Sequence, residues 1–165
     1  MRHIISILLE NEAGALSRVA GLFSARGFNI ESLTVVATND STLSRMTIVS
    51  IADDGIIEKI VKQLNKLIDV IKVTDLTATE HIERELLLVK VNVNQQTQVD
   101  IDKQISAFSC KLVDVSEDIY TIELAGKSKK INDFLANLDA SKILDVSRTG
   151  VTGICMKNRN LTKGV

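Results

Sequence analysis

Hydrophobic periodicity changes along this chain in a fixed order, and it does so twice. An apolar strand-like run, His3 to Leu9, comes first, and then Leu16, Val19, Ala20 and Phe23 fall at i, i+3, i+4 and i+7, one face of an α-helix. Two further strand-like runs follow, residues 30–37 and 44–51, separated by the small polar cluster Thr38 to Thr42. A second helical stripe, Ile57, Ile60, Val61, Leu64, Leu67 and Ile68, starts after Asp53, a residue suited to capping a helix, and a last run covers 70–76. After a polar break the order repeats: strand 86–93, helix 99–108, strands 111–115 and 119–124 joined by Ser116-Glu117-Asp118, helix 128–138 and strand 143–147. Two βαββαβ units in tandem are predicted, each a ferredoxin-like α+β sandwich with four antiparallel strands and both helices on one face. The boundaries are 1–76 for the first unit, 77–84 for a linker and 85–165 for the second unit, whose basic tail from Lys157 is expected to fray.

The stretch from Asn11 to Leu33 carries the chemistry. It runs from the first strand through a polar turn into the first helix, and Gly27 then stops that helix, because glycine takes the left-handed cap conformation without a Cβ clash. The first N–H groups of a helix lack internal partners and carry partial positive charge, so this turn suits a small anion. Gly14 permits close approach to the backbone, and Asn11 and Asn29 each offer donors and an acceptor without net charge. Those are the groups a zwitterionic amino acid needs. The same residues also suit a plain tight turn, and periodicity alone leaves both readings open.

Composition narrows the function classes. The formal net charge is −1, which removes the electrostatic case for nucleic acid or an anionic membrane surface. Four Phe, one Tyr and no Trp are too few rings for a base-stacking platform. No apolar run approaches the ~18 residues of a membrane span. Cys110 and Cys155 lie far apart without metal-ligand spacing and read as reduced thiols of a cytoplasmic protein. His3 and His81 support no nucleophilic triad, and Asp100 and Asp102 at a helix start fit the dipole better than a metal. Gly126-Lys127-Ser128 echoes the end of a phosphate-binding loop, but the motif needs a glycine where Thr121 stands. Asp69 and Asp75 read as solvated positions. Arg18 and Arg26 lie off the first helix's apolar stripe, as solvated charges or as contacts to a partner.

Three ordered blocks carry a resemblance: Asn11-Glu12-Ala13-Gly14-Ala15-Leu16-Ser17-Arg18-Val19, Gly27-Phe28-Asn29-Ile30-Glu31-Ser32-Leu33 and Leu43-Ser44-Arg45-Met46-Thr47-Ile48. They resemble the regulatory small subunit of acetohydroxyacid synthase (acetolactate synthase). The resemblance spans the chain and is sharpest over the first ~50 residues. It implies that residues 1–76 form an ACT domain that dimerises side by side and binds valine between subunits. Asn11 and Gly14 of one chain, with Ala15 and Leu16 beside them, and Asn29 and Ile30 of the other would line that site. The implied partner is a separate catalytic subunit holding thiamine diphosphate, FAD and magnesium, while this chain carries no cofactor and no catalytic residue. The small subunit activates that partner and confers feedback inhibition by valine. Val36-Ala37 departs from relatives that have a smaller residue and then a proline there. The hairpin tip with Asn39, Asp40 and Arg45 is a candidate contact to the catalytic subunit. The rival readings are a stand-alone ACT-type sensor of another amino acid, an acylphosphatase-like hydrolase and an RNA-binding module.

Overall fold

The computed structural model describes residues 1–156; the tail from Lys157 lies outside them. Two compact units emerge, one from Met1–Ile82 together with the segment from Val151, the other Glu83–Gly150.

The first unit follows the predicted order. β1 (Arg2–Glu10), α1 (Ala15–Ala25), β2 (Ser32–Ala37), β3 (Leu43–Ile51), α2 (Asp54–Leu64) and β4 (Val70–Asp75) build an antiparallel sheet in the order β2-β3-β1-β4. Alternation decides which side chains face the helices. Ile5, Ile7 and Leu9 of β1 and Met46 and Ile48 of β3 pack with Val19, Leu22 and Phe23 of α1 and Ile57, Ile60 and Leu64 of α2. Phe23 meets Phe28 edge-on, with ring centroids 6.4 Å apart.

The other sheet face is where the sequence reading falls short. β3 carries apolar residues on both faces, Met46 and Ile48 on one and Val49 and Ile51 on the other, a pattern that needs cover on both. Part of that cover comes from the chain itself: β9 (Thr152–Cys155) returns to the first unit, and Ile4, Val49, Leu76 and Val151 form a second buried cluster with Cys155 against it. Met156 N–H donates to Glu80 C=O at 2.9 Å, and Thr79 Oγ1 lies 3.5 Å from Cys155 Sγ. β9 was not predicted, because four residues with two glycines nearby carry little strand signal. The predicted linker is also partly strand, since β5 (His81–Asn92) begins inside it.

The second unit repeats the topology with β5, α3 (Gln98–Phe108), β6 (Lys111–Ser116), β7 (Ile119–Gly126), α4 (Ser128–Asn137) and β8 (Ile143–Arg148), in sheet order β6-β7-β5-β8. Leu87, Val89 and Val91 of β5 and Ile122 and Leu124 of β7 face Ile101, Ile131 and Phe134 of the helices. Glu85 is buried and fully engaged: Arg148 Nε and Nη2 donate to its two oxygens at 2.7 and 2.9 Å, and Ser128 Oγ donates at 2.9 Å.

Three local expectations are corrected. Leu16 is not on the buried stripe of α1: it is 42 % exposed, and Ala15 takes the inward position. The stripe of α2 stops at Leu64; Leu67 lies beyond the helix and Ile68 is exposed. Asp53 occupies the N-cap position of α2 without a side-chain cap bond.

Candidate functional site

The turn between β1 and α1 is built as a backbone cradle. Gly14 is the N-cap residue of α1 with φ +90°, a conformation open to glycine and strained for other residues. No side chain caps α1, and no acid sits in its first turn, so its leading N–H groups keep their partial charge for another acceptor. Ala15 N–H turns back to Glu12 C=O at 3.2 Å. Leu16 projects outward beside the turn.

Asn11 is tied to the β2–β3 hairpin. Its N–H donates to Thr42 C=O at 2.7 Å, its Nδ2 donates to Ser41 C=O at 2.9 Å, and its Oδ1 accepts from Ser44 Oγ at 3.0 Å. The hairpin tip is itself ordered: Asp40 Oδ1 accepts from Thr42 N–H at 2.9 Å and from Thr42 Oγ1 at 2.7 Å. Those bonds, the hydroxyl first, hold the Asp40 carboxyl below the usual carboxylate range. Asn39 and Asp40 are exposed at this tip, and Arg45 is half-buried at its base on β3.

Asp69 corrects its reading as solvated, and exposed Arg18 is its partner. Asp69 is buried at 5 % exposure in the turn between α2 and β4, and Arg18 reaches it from the first turn of α1. Arg18 Nε pairs with Asp69 Oδ2, and Nη2 donates to Oδ1 at 2.7 Å. These hydrogen bonds hold the Asp69 carboxyl below its ordinary range. Asp69 C=O also accepts from Glu10 N–H at 2.8 Å. The signal that could have found the pair is weak. Arg18 stands one residue off the apolar stripe, and Asp69 follows a helix end at no characteristic distance.

Asn29 and Ile30 do not join Asn11 and Gly14 within one chain. Ser50 Oγ donates to Asn29 C=O at 2.7 Å, and Glu31 N–H donates to Val49 C=O at 2.8 Å, which fixes this segment at the far end of β3. In the β1–β3 register Leu9 faces Ser44 and His3 faces Ser50. Six residues of strand, about 20 Å, therefore separate the two halves of the predicted site. Asn29 Nδ2 donates to Glu31 Oε1 at 2.6 Å.

His3 is buried, with Nε2 3.2 Å from Asp54 Oδ1 and Nδ1 3.5 Å from Asp75 Oδ2, neither in hydrogen-bond geometry. Cys110 and Cys155 are free thiols, and burial pushes the Cys110 thiol up. Among the described residues no group of His, Cys, Asp and Glu could hold a metal ion, and no helix is long and apolar enough to cross a membrane.

Comparison with known proteins gives a consistent picture. The family described as AHAS small subunit-like ACT domain matches residues 5–72, and the family described as small subunit of acetolactate synthase matches residues 84–156. The acetolactate synthase isozyme 3 small subunits of Salmonella typhimurium and Escherichia coli K12 are each 50 % identical over 155 residues, covering 93 % of this chain and 95 % of theirs. The crystal structure of the acetolactate synthase small subunit from Thermotoga maritima superposes with a TM-score of 0.86 at 36 % identity, over 96 % of this chain and 99 % of that one.

Proposed function

This chain belongs to the acetolactate synthase small-subunit family, and on that premise we propose that it is a non-catalytic regulatory subunit that activates the catalytic subunit and makes it sensitive to valine. The cofactors of the reaction, thiamine diphosphate, FAD and magnesium, belong to the catalytic partner in this reading. The small subunit acts as an amino-acid sensor in branched-chain amino acid synthesis in the cytoplasm.

The supporting observation is the separation of the half-sites. Asn11 and Gly14 lie at one end of the β1–β3 pair and Asn29 and Ile30 at the other. A two-fold pairing of β2 edges, antiparallel, lays the start of one β2 beside the end of its partner and so brings unlike halves together twice. β2 suits that role: it is an edge strand, and Val35 and Val36 are exposed at 40 % and 64 % with no charged side chain among its residues.

A ligand at such a seam regulates by linkage. Valine changes turnover only through differential affinity for two arrangements of the subunits, and a typical coupling of ~1–3 kcal/mol corresponds to a ~5- to 150-fold change in affinity. The hairpin tip at Asn39, Asp40 and the base residue Arg45 serves as a contact to the catalytic subunit. The test is pyruvate turnover by the catalytic subunit with and without this chain, across a valine titration. Activation that valine reverses is the expected result. Absence of both activation and calorimetric valine binding overturns the reading.

A further inference from the structure

We propose that a cavity between α2 and the start of β1 binds a small alkylammonium, whose charged end is received by His3 Nε2 and the Asp54 carboxylate. The cavity has a volume of about 450 Å³, within the range of small-molecule sites. Ile57, Val61 and Ala78 give it an apolar wall, and His3, Asp54 and Asp75 give it a polar end. It lies at the opposite end of β1 from the Gly14 turn. The carboxylates around it, Glu58 included, repel the carboxylate of a free amino acid, so the site is not a second seat for the effector and does not depend on the valine reading.

The observation that points to a ligand is His3. Alternate residues of β1 face the helices, Ile5, Ile7 and Leu9 in the core and His3 at the end of the row. His3 is 3 % exposed, yet neither ring nitrogen has a hydrogen-bond partner, an arrangement that costs free energy until a partner arrives. Its neighbours are two carboxylates, Asp54 at Nε2 and Asp75 at Nδ1. A neutral imidazole has one N–H and one lone pair, so one of the two carboxylates always faces the lone pair. Asp75 is the fixed side: it is 22 % exposed and its Oδ1 accepts from Thr77 N–H at 2.9 Å. Asp54 is the movable side, 83 % exposed at the first position of α2. When Asp54 turns outward, an ammonium takes its place, donating to Nε2 and to the displaced carboxylate while Nδ1–H stays toward Asp75. Two cations beside the cavity are already engaged: the Met1 amino group donates to Ala52 C=O at 2.8 Å, and Lys62 Nζ pairs with Glu58 at 2.5 Å. The His and Asp groups do not form a metal site, and the apolar wall calls for an alkyl body on the cation.

The test compares n-butylammonium chloride with n-butanol, which keeps the alkyl body and loses the charge. Each is titrated into the full chain and followed by NMR at the His3 ring nitrogens and at the Ile57 and Ala78 amides. In wild type, butylammonium moves these resonances to saturation, and butanol binds about 10- to 100-fold more weakly, the scale of a hydrogen bond to a charged group. Asp54→Asn removes the counter-ion and weakens butylammonium by a similar factor. Asp53→Asn, one residue earlier and without a side-chain cap bond to lose, changes the affinity little. His3→Gln weakens butylammonium as well; if that buried substitution fails to fold, the exposed Asp54→Asn decides. Equal binding of the two probes means an apolar pocket only and overturns the proposal. Equal weakening by Asp53→Asn and Asp54→Asn means a general charge effect and overturns it too. Absence of butylammonium binding means that a proton on His3 or solvent in the cavity already satisfies the carboxylates, and this also refutes the site.

Discussion

The same chemical change, glycine to alanine, should have opposite signs at two places in the first unit. At Gly153 in β9, a Cβ falls 2.7 Å from Leu76 Cδ1, 3.6 Å from Ile82 C=O and 3.9 Å from Ile4 Cγ2. Leu76 is fully buried, with Ile4, Val49 and Val151 around it, so it has no free direction in which to yield. Overpacking of this kind costs about 1–3 kcal/mol. At Gly55 in α2 nothing lies within 4 Å of the added carbon and the backbone is ordinary helix. There alanine removes only unfolded-state freedom and stabilises by about 0.4–1 kcal/mol. Urea unfolding of the two variants and wild type reads the signs. Hydrogen exchange at Met156, whose N–H reaches Glu80, localises the first effect: it should quicken in Gly153→Ala and stay unchanged in Gly55→Ala. A Gly153→Ala protein as stable as wild type, with Met156 equally protected, refutes the idea that β9 is packed tightly into the first unit.

Gly14→Asp should abolish the valine response, because it puts a carboxylate at the N-cap of α1, where the ligand's carboxylate sits in the proposed reading; the φ of +90° adds a cost of about 1–2 kcal/mol to folding, read as a lower melting temperature beside calorimetric loss of valine binding. Val36→Lys places a charge on the exposed β2 edge and should shift the chain toward monomer in sedimentation velocity, with valine binding lost in parallel. Asp69→Asn should be less stable than wild type at pH 7, and the difference should close on acidification. The sign follows from the pKa: Arg18 depresses the folded Asp69 value, so its stabilisation is full above the unfolded value of about 3.9 and disappears as pH falls through the depressed value.

What the sequence made legible was what period and turn chemistry control. Met46 and Ile48 against Thr47 and Val49 announced the two faces of β3, and the ferredoxin-like class of both units followed from the element order alone. Gly14 and Gly27 both have positive φ, as a turn and a helix stop require. What stayed hidden was decided by contacts between distant segments. Leu16 fits a helical stripe as well as Ala15 does, and only the docking angle of α1 settles which is buried. Asp69 looks solvated until a guanidinium from a residue 51 positions earlier reaches it. β9 is a strand because it pairs with β5, far upstream in sequence, and nothing in Thr152-Gly153-Ile154-Cys155 alone foretells that.

The clamps around residues 10–14 also constrain how a signal could leave the site. Asn11 binds the loop to the hairpin through Thr42, Ser41 and Ser44. Glu10 and Arg18 bind it to the α2–β4 turn through Asp69. The loop therefore cannot shift without moving the hairpin tip or breaking an ion pair with a buried carboxylate. Breaking that pair is costly, because it strands a charge away from water, whereas the hairpin's bonds to Asn11 are neutral and partly exposed. In the proposed assembly the softer path is the hairpin, where Asn39 and Asp40 face outward. Ser44→Ala removes one of the hairpin's links to Asn11 and touches neither Gly14 nor Arg18. It should leave valine affinity nearly intact and weaken the inhibition that binding produces. A variant whose inhibition falls only in proportion to its affinity would place the transmitted motion elsewhere in the seam.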